Sequence, residues 1–324
     1  MIGIRKSCLA MVCALLVLFV PGCGGKRAAG PEPAAGRPRI ALVMKSLANE
    51  FFKTMEDGAR KHQRERGDQY ELICNGTKDE GDVTRQIDIV QQMIAQKVDA
   101  VVLAPADSKA LVSVCKKAQQ AGIVVVNIDN KLDAGALKSA GIKVPFVGPD
   151  NRKGARLAGE VLAGKLKPDD KVAIIEGAPN AYNAVQRKLG FEDAMKTAKA
   201  DIVTSQSGYW EMAKANQVAA GILAKYPDIK GLLCANDNMA LGALAAVRAA
   251  GKAGKVYVVG FDNISAVHKL LKTGDILATV DQHADKLAIY GIEYALEMVA
   301  GKGTPEDRET PVDLIAAGPP PAKR

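Results

Sequence analysis

The stretch AGIVVVNIDN, Ala121–Asn130, decides the fold. Its β-branched run, Val124–Ile128, follows a glycine and ends in Asp-Asn, which indicates a buried parallel strand with a polar carboxyl end. A second copy occurs in AGKAGKVYVVGFDN, Ala250–Asn263, where an apolar run again leads into Asp-Asn. A shorter repeat relates APAD at Ala104–Asp107 to AND at Ala235–Asp237. These repeats predict two halves of similar topology.

Outward from these runs, short β-branched segments alternate with longer amphipathic ones. The predicted strands are Ile40–Lys45, Tyr70–Cys74, Ala100–Leu103, Val124–Asp129, Phe146–Gly148, Val172–Glu176, Ile202–Ser207, Gly231–Ala235, Val256–Asp262 and Ile276–Val280. Helices are predicted between them, such as Asp82–Gln96 and Glu211–Lys225. Strands that alternate with helices form parallel sheets wound by right-handed crossovers. So many strands exceed one ordinary sheet, so we expect an α/β fold with two wound sheets.

The N-terminus has the features of an export signal. Arg5 and Lys6 precede an apolar run, Leu9–Val20, that is short for a membrane span. The following Val20–Cys23 resembles a bacterial lipobox, which predicts a signal peptide over 1–22 and a lipid on Cys23; an ordinary signal peptide cut nearby is the alternative. Residues 23–39 are rich in Gly, Pro and Ala and are interpreted as a lipidated tether, and 319–324 as a tail.

Charge and motifs exclude several classes of protein. The formal net charge of +8 lies almost wholly in the two tails, so the body lacks the dense basic face of a nucleic-acid binder. No G-x-S-x-G, Walker or H-E-x-x-H motif is present, and the three histidines lack metal-ligand spacing. Cys74, Cys115 and Cys234 are interpreted as core thiols. We therefore expect no enzyme activity, no metal and no cofactor.

Candidate binding residues follow from the predicted topology. Ligands of wound sheets collect at the carboxyl ends of the strands, and two facing sheets make a cleft there. The polar residues at those positions are Lys45, Asn49, Asp129, Asn130, Asn236, Asp262 and Gln282. Carboxylates accept hydrogen bonds from sugar hydroxyls, while amides and cations donate hydrogen bonds to the hydroxyl oxygens. Phe51, Phe52 and Trp210 also lie near strand ends and are candidates for stacking on a sugar ring; core packing is the alternative.

Three segments carry a family resemblance. Ile40–Phe52, Ala235–Leu244 and Val258–Asp262 resemble the ribose-type periplasmic binding proteins, and Val126–Asp133 and Ala173–Gly177 are similar to the allose-binding branch. The resemblance implies the type I fold, in which two lobes joined by three crossovers close on one sugar. It places the first lobe at 40–149 plus 283–312 and the second at 150–282 plus 313–318.

The resemblance also implies roles for single residues. The hydrogen-bonding positions fall on Asn49, Asp129, Arg187, Asn236, Asp262 and Gln282, and the stacking positions on Phe51, Phe52 and Trp210. Arg187 enters by resemblance alone. Lys45 matches a lysine of the allose-binding branch. The sequence departs from the family at Glu50, where proline is usual, and at Asn130, where ribose binders have arginine and allose binders glutamate.

These expectations combine into one function. We expect an exported protein of the periplasm or outer face of the cell membrane, lipid-anchored and monomeric, that delivers a monosaccharide or polyol to an ABC permease with its ATPase subunits. A sugar receptor for a chemotaxis or kinase sensor is the alternative, as is an exported glycosidase. A repressor would need a DNA-binding segment where the export signal lies. Lys45 and the short, uncharged Asn130 favour an allose-like hexose or a polyol over ribose, unless Asn130 points away from the cleft.

Overall fold

The computed structural model describes residues 36–67 and 69–317. The predicted signal peptide, Cys23 and the tail at 319–324 lie outside the described residues. Strands and helices alternate through the first part of the described chain as β1 Arg39–Ser46, α1 Glu50–Glu65, β2 Glu71–Thr77, α2 Val83–Ala95, β3 Ala100–Leu103, α3 Val112–Gln120, β4 Val124–Ile128, α4 Ala134–Ala140 and β5 Phe146–Pro149.

The same alternation continues to the end of the described chain. The remaining elements are α5 Asn151–Ala163, β6 Lys171–Glu176, α6 Tyr182–Ala198, β7 Asp201–Ser207, α7 Met212–Lys225, β8 Gly231–Cys234, α8 Asp237–Ala249, β9 Tyr257–Val259, α9 Ser265–Thr273, β10 Ala278–Asp281, α10 Ala284–Val299, β11 Arg308–Thr310 and β12 Asp313–Ala316.

These strands form two six-stranded sheets, which confirms the predicted α/β fold. The first sheet has the order β11-β5-β4-β3-β1-β2 and the second β12-β10-β9-β8-β6-β7. All pairs are parallel except β10 with β12. We call each sheet with its helices the first and the second lobe. The chain passes between the lobes three times: after β5, after β10 and between β11 and β12.

Both faces of each sheet are covered by helices. In β1, the side chains of Ile40 and Leu42 pack with apolar residues of α1 and α10, whereas Ala41 and Val43 pack with α2 and α3. This alternation is the two-residue period of a strand. The strands are buried on both sides, which explains their continuous apolar runs.

The predicted strands are all present, although several ends differ. The largest difference is at Val256–Asp262, where the strand is only Tyr257–Val259. Beyond Val259, the N–H groups of Gly260 and Asp262 still donate to carbonyls of β10, and the chain turns at Asp262 and Asn263, whose φ angles of 115° and 54° lie outside the extended region. The short strands β11 and β12 were not predicted. None of the helices in the described part of the chain combines the length and the apolar character that a membrane crossing requires.

Candidate functional site

A cavity lies between the lobes, at the carboxyl ends of the strands. Its lining comes from both lobes and consists of Lys45, Asn49, Phe51, Phe52, Glu80, Asp129, Asn183, Arg187, Trp210, Asn236, Asp262 and Gln282. Ten of the predicted ligand-binding residues are therefore brought together here. Apart from Glu80, these side chains are all buried, so the lobes are closed over the cavity.

The first lobe supplies a buried ion pair. Lys45 at the end of β1 places its Nζ 3.0 Å from Oδ2 of Asp129, which follows β4. Asp129 has a φ of 61°, a left-handed conformation that turns the chain sharply at the strand end. Asn49 is the N-cap residue of α1, and its Oδ1 accepts a hydrogen bond from the N–H of Phe51. Its Nδ2 donates to Glu80 at 2.6 Å, and this bond fixes the Asn49 amide at the cavity.

The second lobe supplies a second buried ion pair. Arg187, on α6, donates through Nε to Asn151 at 2.8 Å and through Nη1 to the carbonyl of Ala235 at 2.9 Å and to Oδ1 of Asp262 at 3.3 Å. Its guanidinium carbon lies 3.8 Å from the centre of the Phe261 ring. These contacts hold the guanidinium rigidly, so Arg187 is not the solvated helix arginine that its sequence position alone suggests.

Asp262 accepts a further hydrogen bond from Nε2 of Gln282, 2.8 Å away. Burial raises the pKa of Asp262 to about 7, although Arg187 and the Gln282 bond oppose the shift. Burial also raises the pKa of Glu80, against the effect of Lys45 and the Asn49 bond. A hydroxyl that hydrogen-bonds to either carboxyl group would therefore change the pKa of that group.

Aromatic rings line the cavity from both lobes. The Nζ of Lys45 lies 5.3 Å from the centre of the Phe52 ring and 5.7 Å from that of Trp210. Phe51 meets Phe52 edge to face, with the ring centres 5.1 Å apart. Gly177 lies against the indole, because a Cβ there would come within 2.1 Å of the Trp210 ring. The absence of a side chain at this position makes room for Trp210.

Two lining residues, Glu80 and Asn183, were missed in the sequence. Glu80 lies in the loop after β2, and Asn183 in the first turn of α6. The loop after β2 lies at the same edge of the sheet as Lys45, and this position could have identified Glu80 from the sequence. Within the described chain, the Oδ1 of Asn183 and the Oε1 of Gln282 are buried without a hydrogen-bond partner, and both residues line the cavity. Such atoms are free to bond a ligand.

Asn130 requires a correction, because its side chain does not line the cavity. It is fully buried and donates through Nδ2 to the carbonyl of Pro105 at 2.9 Å. Its Oδ1 accepts from Oγ of Ser108 at 3.3 Å and from the backbone N–H of Asn183 at 3.2 Å. The preceding Asp129 turns the chain, so the two side chains diverge and only Asp129 faces the cavity. The size of Asn130 therefore does not widen the site.

The chemistry of the site suits a small, neutral, hydroxyl-rich ligand. Each cation is paired with a carboxylate, so the cavity offers no free positive charge to an anion. Carboxylates can accept hydrogen bonds from hydroxyls, amides and cations can donate to hydroxyl oxygens, and rings can contact C–H faces. The described residues contain no group of His, Cys, Asp and Glu side chains arranged to hold a metal ion.

Comparisons with known proteins agree with this geometry. The D-ribose/D-allose-binding protein of Pseudomonas aeruginosa is 56% identical over 318 residues, covering 97% of this chain and 98% of that protein. A solute-binding protein of an ABC transporter from Burkholderia multivorans, solved with an unknown ligand represented as alpha-D-erythrofuranose, is 59% identical with a TM-score of 0.85; the match covers 87% of this chain and all of that one.

A third relative was solved with a known sugar. The periplasmic solute-binding protein of an ABC transporter from Actinobacillus succinogenes, with bound D-allose, is 37% identical with a TM-score of 0.81 over 87% of this chain and 98% of that one. The family model described as periplasmic binding protein domain matches residues 40–303. This match spans both lobes and the cavity between them, and the chain belongs to the periplasmic binding protein family.

Proposed function

We propose that the chain binds one monosaccharide between its lobes as the substrate-binding protein of an ABC sugar importer, and that it is not an enzyme. The observation that carries this proposal is the closed cavity itself, in which two buried ion pairs, several amides and the rings of Phe52 and Trp210 face one another across the two lobes. Burying so many polar groups is costly unless a ligand completes their hydrogen bonds, and this makes a site selective.

Within that class, we propose an allose-like hexose over ribose. Asn130 lies outside the cavity and does not bear on this preference. Lys45 and Glu80 favour the hexose, because they add a donor and a carboxyl group on the first-lobe side of the cavity. A hexose carries one hydroxymethyl group more than a pentose, and this group can bond to them. Of the relatives above, one is named for both D-ribose and D-allose, and one was solved with bound D-allose.

A binding titration tests both statements. The protein is unfolded in denaturant and refolded to remove any carried sugar, then titrated with D-allose, D-ribose and myo-inositol. Trp210 is the only tryptophan of the chain, so its fluorescence reports ligand binding at the cavity without background from other tryptophans. We expect D-allose to bind more tightly than D-ribose and to be recovered unchanged. Tighter binding of ribose would refute the preference, and no sugar binding would refute the function.

We also propose that the protein acts as a monomer outside the cytoplasm, in the periplasm or at the outer face of the cell membrane, held by a lipid on Cys23 and working with a permease and its ATPase subunits. The support is the lipobox-like Val20–Cys23 at the end of an export signal. Wild-type protein expressed in a bacterium should partition with membranes, and Cys23→Ser should be released or left uncleaved. A wild-type protein that is wholly free of membranes would contradict the anchor.

A further inference from the structure

Two helices of the second lobe, α6 and α9, begin at residues whose side chains cannot cap a helix. The N-cap residue of α6 is Ala181 and that of α9 is Ile264, and neither makes a side-chain hydrogen bond to its helix. The first N–H groups of a helix have no partner within the helix and need acceptors from elsewhere. Alanine and isoleucine cannot provide one.

The first lobe provides the acceptors for α6. The N–H of Tyr182 donates to Oγ of Ser108 at 2.9 Å, and the N–H of Asn183 donates to Oδ1 of Asn130 at 3.2 Å. Ser108 lies in the loop after β3 and Asn130 follows β4, so both belong to the first lobe. The helix that they cap carries Asn183 and Arg187 into the cavity.

The first lobe also caps α9. The N–H of Ser265 donates to Oε1 of Glu50 at 2.6 Å. Glu50 is the first residue of α1 and is half-buried. A carboxylate at a helix N-terminus is further stabilised by the helix dipole. Glu50 thus belongs to one lobe, and the backbone N–H that it accepts belongs to the other.

We propose that closure of the lobes completes the N-termini of α6 and α9, so that Ser108, Asn130 and Glu50 act as positioning residues for sugar binding without touching the sugar. The inference rests on the proposed sugar-binding function. When the lobes separate, these N–H groups lose their protein acceptors. The caps therefore stabilise the closed form selectively, and the cap on Asn183 forms only after closure.

Glu50→Ala tests the inference, with Glu65→Ala as the matched control, because Glu65 is exposed on the same helix and contacts only Lys61 of its own lobe. With D-allose as the probe, Glu50→Ala should speed sugar dissociation about threefold to thirtyfold, the equivalent of one helix cap. The association rate should change little, since the caps form after the encounter. Glu50→Gln keeps an acceptor and should recover part of the loss, while the ligand-free melting temperature should match that of the control.

Each result is informative. Equal dissociation rates for Glu50→Ala and Glu65→Ala would overturn the inference. A fall in the ligand-free melting temperature as large as that of the complex would also overturn it, because the role would then be merely structural. If wild-type protein binds neither D-allose nor D-ribose, the proposed function fails. The caps are then tested with myo-inositol as the probe, and equal dissociation rates for Glu50→Ala and Glu65→Ala overturn the inference.

Discussion

At the scale of the residue, the site is built from two buried ion pairs, Lys45 with Asp129 and Arg187 with Asp262. A buried pair adds little net stability, because removing both charges from water offsets their attraction. Removing one partner is far more costly, since the other charge is then left unpaired. The pairs therefore act mainly to hold donors and acceptors in fixed positions around a ligand.

Asp262→Ala should weaken sugar binding by roughly 2–4 kcal/mol, on the order of a hundredfold in Kd. The variant leaves Arg187 and Gln282 without their shared acceptor inside a closed cavity. Titration with D-allose, followed through Trp210 fluorescence, measures the loss. Asp228→Ala is the control, because Asp228 is exposed and pairs with Lys171 far from the cavity. An Asp262→Ala affinity equal to that of the control would place the sugar elsewhere.

The raised carboxyl pKa values predict a pH dependence of stability. Burial raises the pKa values of Glu80, Asp237 and Asp262, the last from 3.8 to about 7. The folded protein thus holds protons that the unfolded chain releases, so stability contributed by Asp262 is present below pH 3.8 and is lost as the pH rises through about 7.

Urea unfolding of ligand-free protein at pH 5 and pH 8 measures this effect. The free energy of unfolding should fall more for wild type than for Asp262→Asn, whose amide does not titrate. Groups that do not interact with Asp262 contribute equally to both and cancel, whereas Asp237, whose pKa the Asp262 charge helps to raise, adds to the difference in the same direction. Parallel pH profiles for the two proteins would show that Asp262 titrates normally in the folded state.

Single site residues could be predicted where they directly follow a strand of a wound parallel sheet. Asp129 and Asp262 end central strands, and the carboxyl ends of wound strands face the cleft. Asn130 was misplaced because the rule gives the position of the backbone, and the φ of 61° at Asp129 decides which neighbouring side chain turns inward. Glu80 was missed because it lies in a loop, where no periodic pattern marks the direction of a side chain.

At the scale of the element, helices α5 and α6 pack unusually closely. A Cβ on Gly190 would lie 2.2 Å from the carbonyl oxygen of Arg152 and 2.9 Å from the amide nitrogen of Arg156. Both atoms belong to the backbone of α5, so neither can move away like a flexible side chain. The small residue at Gly190 therefore sets the distance between the helices, and with it the position of Arg187.

Gly190→Ala should destabilise the protein by about 1–3 kcal/mol, because the added methyl overpacks the contact. Gly221→Ala is the matched control, since Gly221 is exposed on α7 with no neighbour within 4 Å, and alanine there should stabilise by about 0.5–1 kcal/mol. Chemical denaturation measures both. If Gly190→Ala proved as stable as Gly221→Ala, α5 and α6 would not be in the close contact described here.

Ten of the strands could be predicted, including β2 and β7 at the sheet edges, but the short edge strands β11 and β12 could not. A strand such as Ala100–Leu103 is buried on both faces and is therefore a continuous apolar run. Strand β11, Arg308–Thr310, has the sequence RET and two of its three residues are exposed, so its sequence resembles that of a loop. It is a strand because β5 offers a free edge, which is a tertiary cause.

At the scale of the whole molecule, three chain segments join the lobes. At one of them, His283 has a φ of 55° at the start of α10, and its Nε2 lies 2.9 Å from Oδ2 of Asp313 in another. The junctions therefore lie close together along one side. Such a set of junctions permits the lobes to open and close like a hinge.

Small-angle scattering should therefore give a smaller radius of gyration with D-allose than without it. Asp262→Ala at the same sugar concentration serves as the control and should show little contraction, because its cavity remains largely empty. If the curves of wild type superimpose despite a bound sugar measured in the same sample, hinge closure is not part of binding.

The route of the last two strands also governs the order in which the molecule folds. The first lobe needs α10 as a cover and β11 as an edge, and the second needs β12 beside β10. All three come from the end of the described chain, although each lobe begins much earlier. A nascent chain usually folds one domain after another, from the N-terminus onward. Here neither lobe can complete its core until the final strands emerge, so the two lobes finish folding together, late and through contacts distant in sequence.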